Sequence, residues 1–174
     1  MIRQHAIAGV LVACVMLGCE SGMSGSGPPI KEQAAGYVRT LFESYSRGER
    51  DLNTYPELGW EHVEALLAMS NDDRIVGSPP ANPLSSQRQE RCSAGMLALW
   101  FVEGIRKGEP IGYPSLNPMC LSHDVPKGDW ERDSEANRAE VAAIYQAWWD
   151  SVRSEAPEER RLADPLAGSS FRWY

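Results

Sequence analysis

Apolar side chains fall along this chain in a helical rhythm, and the rhythm changes from segment to segment. From Ile30 to Arg47, the residues Ile30, Ala34, Val38, Leu41, Phe42 and Tyr45 recur at spacings of three and four. That is one apolar stripe on a helix, and Gly48 supplies its stop. Leu58 to Met69 repeats the pattern in a shorter form through Leu58, Val63, Leu66 and Leu67, with Trp60 near the start. The most apolar segment follows Asn82-Pro83-Leu84-Ser85-Ser86. There Ser85 or Ser86 is placed to cap a helix over about residues 86–107, with Gln89 and Glu90 able to reach back to it. Within this helix Ala94 to Val102 is nine residues without a charge. A helix apolar on every side is buried on every side, and the run is far short of the roughly 20 residues that cross a bilayer.

A last long helix is predicted over Ser134–Glu155. Its apolar face includes Ala136, Val141, Ile144, Tyr145, Trp148, Trp149 and Val152, and Pro157 helps to end it. Glu158 to Leu162 can add a helical turn. Between these helices Ile75–Asn82 reads as an extended loop, since it carries Gly77, Pro79 and Pro80. Glu109–Asp133 reads as a long Pro-rich loop, and loops of that length in compact domains are usually functional or packed by their own side chains. The tail after Asp164 holds Phe171, Trp173 and Tyr174, too many aromatics for a disordered segment, so it is expected to dock. No segment alternates with period two. The expected fold is all-α: a small single-domain bundle of about four helices around the central buried helix, over residues 30–174.

The first 29 residues change the picture. Met1 to His5 holds one arginine, Ala6 to Leu17 is apolar and short, and the segment closes on Gly18-Cys19, the layout of a secretory signal. Met16-Leu17-Gly18-Cys19 resembles the lipobox of bacterial lipoproteins, which implies a signal peptide over 1–18 and lipidation of Cys19. Leu11-Val12-Ala13-Cys14 also fits the lipobox letters, but would leave an apolar region of only about eight residues. A non-lipidated secretory peptide and an uncleaved anchor are the alternatives. Residues 20–29 are rich in Gly and Ser, the composition of a flexible tether. Glu20 stands where inner-membrane retention would show aspartate, which favours the outer membrane and a periplasmic or extracellular position.

Overall the chain is 43% hydrophobic and 24% charged, ordinary globular usage. Arg3 is the sole charged residue before Cys19, so the rest carries 16 basic and 24 acidic residues, a net charge of −8. That balance is wrong for nucleic acid, whose binding relies on Lys and Arg at the phosphates, and for adhesion to anionic lipid. Membrane attachment falls to the acyl chains, with an envelope protein or a glycan as the further partner.

Candidate chemistry is sparse. Cys92 and Cys120 can pair in an oxidising compartment, closing a loop of about 28 residues with a contribution of roughly 3–4 kcal/mol; the plainer reading is two buried thiols. Cys120 and His123 form a Cys-x-x-His pair beside Asp124, but a structural zinc site needs four ligands, so neither metal nor cofactor is expected. A cysteine nucleophile with His123 as base has the right residue types and nothing more. Glu103 lies one turn from Trp100. It is either an exposed partner of Arg106 and Lys107 or a buried general acid, and exposure is the expectation. Tyr113, Trp130, Trp148, Trp149 and Trp173 are the candidate interaction surface, against the plainer reading of core packing. Adjacent Trp148 and Trp149 point about 100° apart, so one of them is expected at the rim.

Several elements together carry a resemblance. They are Asn82-Pro83-Leu84-Ser85-Ser86, Cys92, Ala98-Leu99-Trp100 with Glu103-Gly104-Ile105-Arg106, and Tyr113-Pro114-Ser115-Leu116-Asn117-Pro118. To these are added Tyr145 with Trp148-Trp149, and Asp164-Pro165-Leu166-Ala167-Gly168 with Trp173. So composed, the chain resembles a family of uncharacterised secreted or lipid-anchored bacterial proteins of the kind found in planctomycetes and Bacteroidetes. The resemblance implies a helical, envelope-located domain and carries over no catalytic residue. The expectation is a non-enzymatic, lipid-anchored interaction or structural module. The alternatives are a small hydrolase of envelope polymer using an acid such as Glu103, and a carbohydrate-binding module.

Overall fold

A computed structural model describes residues 29–50, 55–77, 79–80, 91–108, 120–122 and 135–173, and of 120–122 and 135–136 the backbone alone. Helix α1 spans Ile30–Ser46, and a 3-10 turn over Trp60–His62 leads into α2, Val63–Ala68. Strands β1 (Ile75–Gly77) and β2 (Arg91–Ser93) precede α3, Ala94–Lys107. Strand β3 (Cys120–Ser122), helices α4 (Glu135–Val152) and α5 (Pro157–Leu162), and strand β4 (Phe171–Trp173) complete the order.

The all-α expectation is corrected by the strands. β1 and β2 form an antiparallel ribbon with Val76 opposite Cys92, and β3 and β4 form another with Leu121 opposite Arg172. Strands of three residues are too short to display an alternation. Their pairing is decided by contacts between distant parts of the chain rather than by local pattern. The first ribbon also moves the start of the central helix. Residues 91–93 are extended, and α3 begins at Ala94 under a Ser93 cap whose hydroxyl accepts from the Met96 N–H at 3.1 Å. Ser85 and Ser86, the expected caps, lie outside the described residues.

Every residue of α3 from Ala94 to Arg106 is buried. Burying a helix start requires partners for its free N–H groups. Here the turn after α2 supplies them: Ala94 N–H donates to the Arg74 carbonyl and Gly95 N–H to that of Asp72, both at 2.8 Å. The approach is close enough that a Cβ on Gly95 would stand 2.3 Å from the Ser70 carbonyl oxygen.

Around α3, helix α1 packs the expected stripe of Ala34, Val38, Leu41, Phe42 and Tyr45, while Ile30 at its start is 72% exposed. Phe42 meets Phe101 edge-on at 6.0 Å, and Tyr55 meets Phe101 at 5.5 Å. Helix α4 adds Val141, Ala142, Tyr145, Trp148, Trp149 and Val152. At roughly 1.5–3 kcal/mol for each large side chain taken from water, these contacts are the main stabilising term. The tail docks as expected: Phe171 is buried, and Trp173 packs partly buried against the core.

Candidate functional site

Two features outside ordinary packing stand out, and both involve α3 and the C-terminal segment. The first is a buried polar node. Glu103 and Arg106 are three residues apart on α3 and so share a face. Arg106 donates to both carboxylate oxygens of Glu103, through Nη2 at 2.6 Å and Nε at 2.9 Å. The Tyr145 hydroxyl on α4 donates to Glu103 Oε2 at 2.8 Å and accepts from Trp173 Nε1 at 2.8 Å. Arg106 Nη1 also donates to the Arg161 carbonyl at 3.0 Å. Thus α3, α4, α5 and β4 are fastened to one carboxylate whose side chain is 4% exposed. Burial pulls the Arg106 guanidinium pKa down, but the hydrogen bonds and charge of Glu103, with Asp164 and Tyr145 adding, more than offset it and hold the pKa raised. Glu103 is therefore buried, against the expectation of an exposed ion pair. Its carboxylate is committed to three donors rather than facing a cleft.

The second feature is centred on Trp60. Gly59 N–H donates to His62 Nδ1 at 3.0 Å, which holds the 3-10 turn and uses this imidazole nitrogen internally. The turn presents the Trp60 indole to α4, where it stacks on Trp149 with centroids 6.2 Å apart and planes 6° from parallel. Trp148 lies 6.4 Å from the same ring. Arg160 lies over Trp60 at 5.3 Å and over Trp149 at 5.4 Å. Its donors go to the carbonyls of Glu155 and Arg153, both at 2.8 Å, beyond the end of α4. Cation–π contact and carbonyl capping thus act in one side chain. A groove of about 640 Å³ opens on one side of Trp60, between Ile30, Lys31 and Glu64 and the end of α4. Another of about 370 Å³ opens between the 55–59 segment, the end of α3 and Arg161.

The expected site residues fall as follows. Trp148 and Trp149 are 6% and 5% exposed, so both pack inward and neither occupies the rim. Trp173 is partly buried and spends its N–H on Tyr145. Cys92 is buried in β2, and the backbone of Cys120 stands opposite Trp173. The side chain of Cys120, and with it the Cys92–Cys120 disulfide, lies outside the described residues, as do Cys19, Tyr113, His123 and Trp130. Trp60, Arg160 and Arg161 were not singled out as site residues. The pair of arginines in a short charged helix is a visible signal, but its aromatic partner is about a hundred residues away.

Residues 31–174 match the family model described as "Domain of unknown function (DUF4943)". The chain belongs to the DUF4943 family. Apart from Ile30, the match takes in every described element from α1 to β4, so the polar node and the Trp60 cluster both lie within the DUF4943 domain. No curated protein and no solved structure matches the chain.

Proposed function

We propose that this DUF4943 domain is a lipid-anchored bacterial envelope protein, of the secreted or lipid-anchored type found in planctomycetes and Bacteroidetes, and that it acts as a non-enzymatic interaction module. The observation that carries the second half is the position of Glu103. A general acid needs a carboxyl that meets substrate, and this one is used up by Arg106 and Tyr145 inside the protein. The first half rests on Met16-Leu17-Gly18-Cys19 and the Gly/Ser tether that follows. No helix among the described residues is long and apolar enough to cross a membrane, which is compatible with anchoring through acyl chains. A glycan partner is less favoured than a protein one. Trp60 and Trp149 already cover each other, and Arg160 covers both.

The anchor and the module are tested separately. A Cys19→Ser form is expected to lose acyl labelling and to leave the membrane fraction; retention of both would sink the lipoprotein reading. The tagged, lipidated wild type is expected to recover a specific envelope partner from solubilised membranes. Hydrolysis of an envelope polymer by the full chain, abolished by Glu103→Gln in a folded variant, would instead establish the enzyme.

A further inference from the structure

The smaller groove beside Trp60 has an unusual floor. Its walls are mixed, with Tyr55, Leu58, Trp60 and Ile105 beside Glu57 and Arg161, while α3 contributes Gly104 and Gly108, one turn apart and without side chains. Gly108 ends α3 at φ 63°, a left-handed conformation that favours glycine. The side chain nearest this helix end is that of Arg161, which also lines the groove. Its guanidinium lies 5.9 Å over the Trp60 ring.

Arg161 also differs from its neighbours in what it does with its donors. Arg106 spends its own on Glu103 and a carbonyl, and Arg160 on two carbonyls. Among the described residues no carboxylate and no hydrogen-bond acceptor is paired with the Arg161 guanidinium. Glu57, at the same groove, likewise has no cationic partner among them. A groove of about 370 Å³ is within the size range of small-molecule sites, about 300–1,000 Å³.

We propose that this groove binds a carboxylate carried on a small apolar body, with Arg161 as the partner of the carboxylate. The planar guanidinium fork matches a carboxylate in a two-point contact that an ammonium group cannot make. The aromatic and aliphatic walls take the apolar body. Two sources present this chemistry: a free amino acid and the C-terminal residue of a peptide. Glu57 separates them, because only the free amino acid brings an ammonium group for it to accept. The proposal rests on the reading of the domain as an interaction module and is independent of the lipid anchor.

The full chain is titrated with leucine, N-acetyl-leucine and N-acetyl-leucinamide, following the backbone amides of Gly104 and Gly108 by NMR and the heat by calorimetry. Both acids are expected to shift these amides and to bind about tenfold or more tighter than the amide. Arg161→Gln is expected to abolish the preference for acid over amide while leaving far-UV circular dichroism and thermal unfolding close to wild type. Tighter binding of leucine assigns the free amino acid, and tighter binding of N-acetyl-leucine assigns a chain end. Equal binding of acid and amide overturns the proposal, as does no shift with either acid, or an unchanged preference in Arg161→Gln. The acid-against-amide comparison uses wild type alone, so it stands even if the variant is poorly folded. Recovery of an envelope partner without any acid binding would remove the groove and leave the module.

Discussion

At the scale of single residues, Glu103 carries stability through one buried ion pair. Removing one partner of a buried ion pair leaves the other charged and uncompensated, at a cost of roughly 3–5 kcal/mol. Glu103→Ala is therefore expected to lower unfolding free energy by that order in denaturant titrations. Glu103→Gln is expected to lose less, because its amide oxygen can still accept from Tyr145. Equal stability of Glu103→Ala and wild type would show that the node holds nothing. A surface acid behaves differently. Arg74 hydrogen-bonds Asp72 and holds its carboxyl below the usual carboxylate range, with burial opposing and the Arg74 backbone N–H adding. A carboxyl pKa depressed on folding contributes stability above its unfolded value, and the contribution fades as pH falls through the folded one. Stability is thus expected to drop on acidification below about pH 4. In Asp72→Asn the drop should be shallower, and the difference small because the pair is at the surface. An identical acid limb in both proteins would exclude the effect.

At the scale of elements, the start of α3 decides the fold's connectivity. Three successive N–H groups, at 94, 95 and 96, are satisfied by Arg74, Asp72 and Ser93 in turn. Ser93→Ala leaves a buried donor unpaired and is expected to cost about 1–2 kcal/mol. Gly95→Ala is the sharper test, because the two available effects have opposite signs. In an open helix, replacing glycine with alanine stabilises by about 0.5–1 kcal/mol. Here the added methyl would meet a backbone carbonyl at 2.3 Å, and overpacking of this kind typically costs about 1–3 kcal/mol. Destabilisation on thermal unfolding is the expected result, and stabilisation would mean that the contact between the α2 turn and α3 is loose.

At the scale of the whole molecule, the C-terminal tail closes the domain. Phe171 fills the core, Trp173 completes the chain of hydrogen bonds to Glu103, and β4 pairs with β3. Phe171→Ala is expected to cost about 3–5 kcal/mol. Truncation after Asp164 should cost more, because it also uncovers the node. If truncation proves no worse than the point substitution, the ribbon and the Trp173 bond contribute nothing to stability.

The helices, their apolar faces and the docking of the tail were legible locally. A stripe at spacings of three and four, or a helix without polar residues, dictates what must be buried whatever buries it. Gly48 as a stop follows equally from backbone chemistry, whereas Pro157, expected to help end the long helix, is the first residue of α5. What the tertiary structure alone decided are matters of partners. Residues 91–93 are strand because 75–77 lie beside them, and Ser93 becomes the cap as a result. Glu103 has the same local sequence whether exposed or buried, and it is buried because α4 and the tail bring Tyr145 and Trp173 to it. The Trp60 groove joins residues some hundred positions apart, with Trp60 and Arg161 on its lining. Local pattern determines which surfaces must find partners, and only the folded chain determines which partners they find.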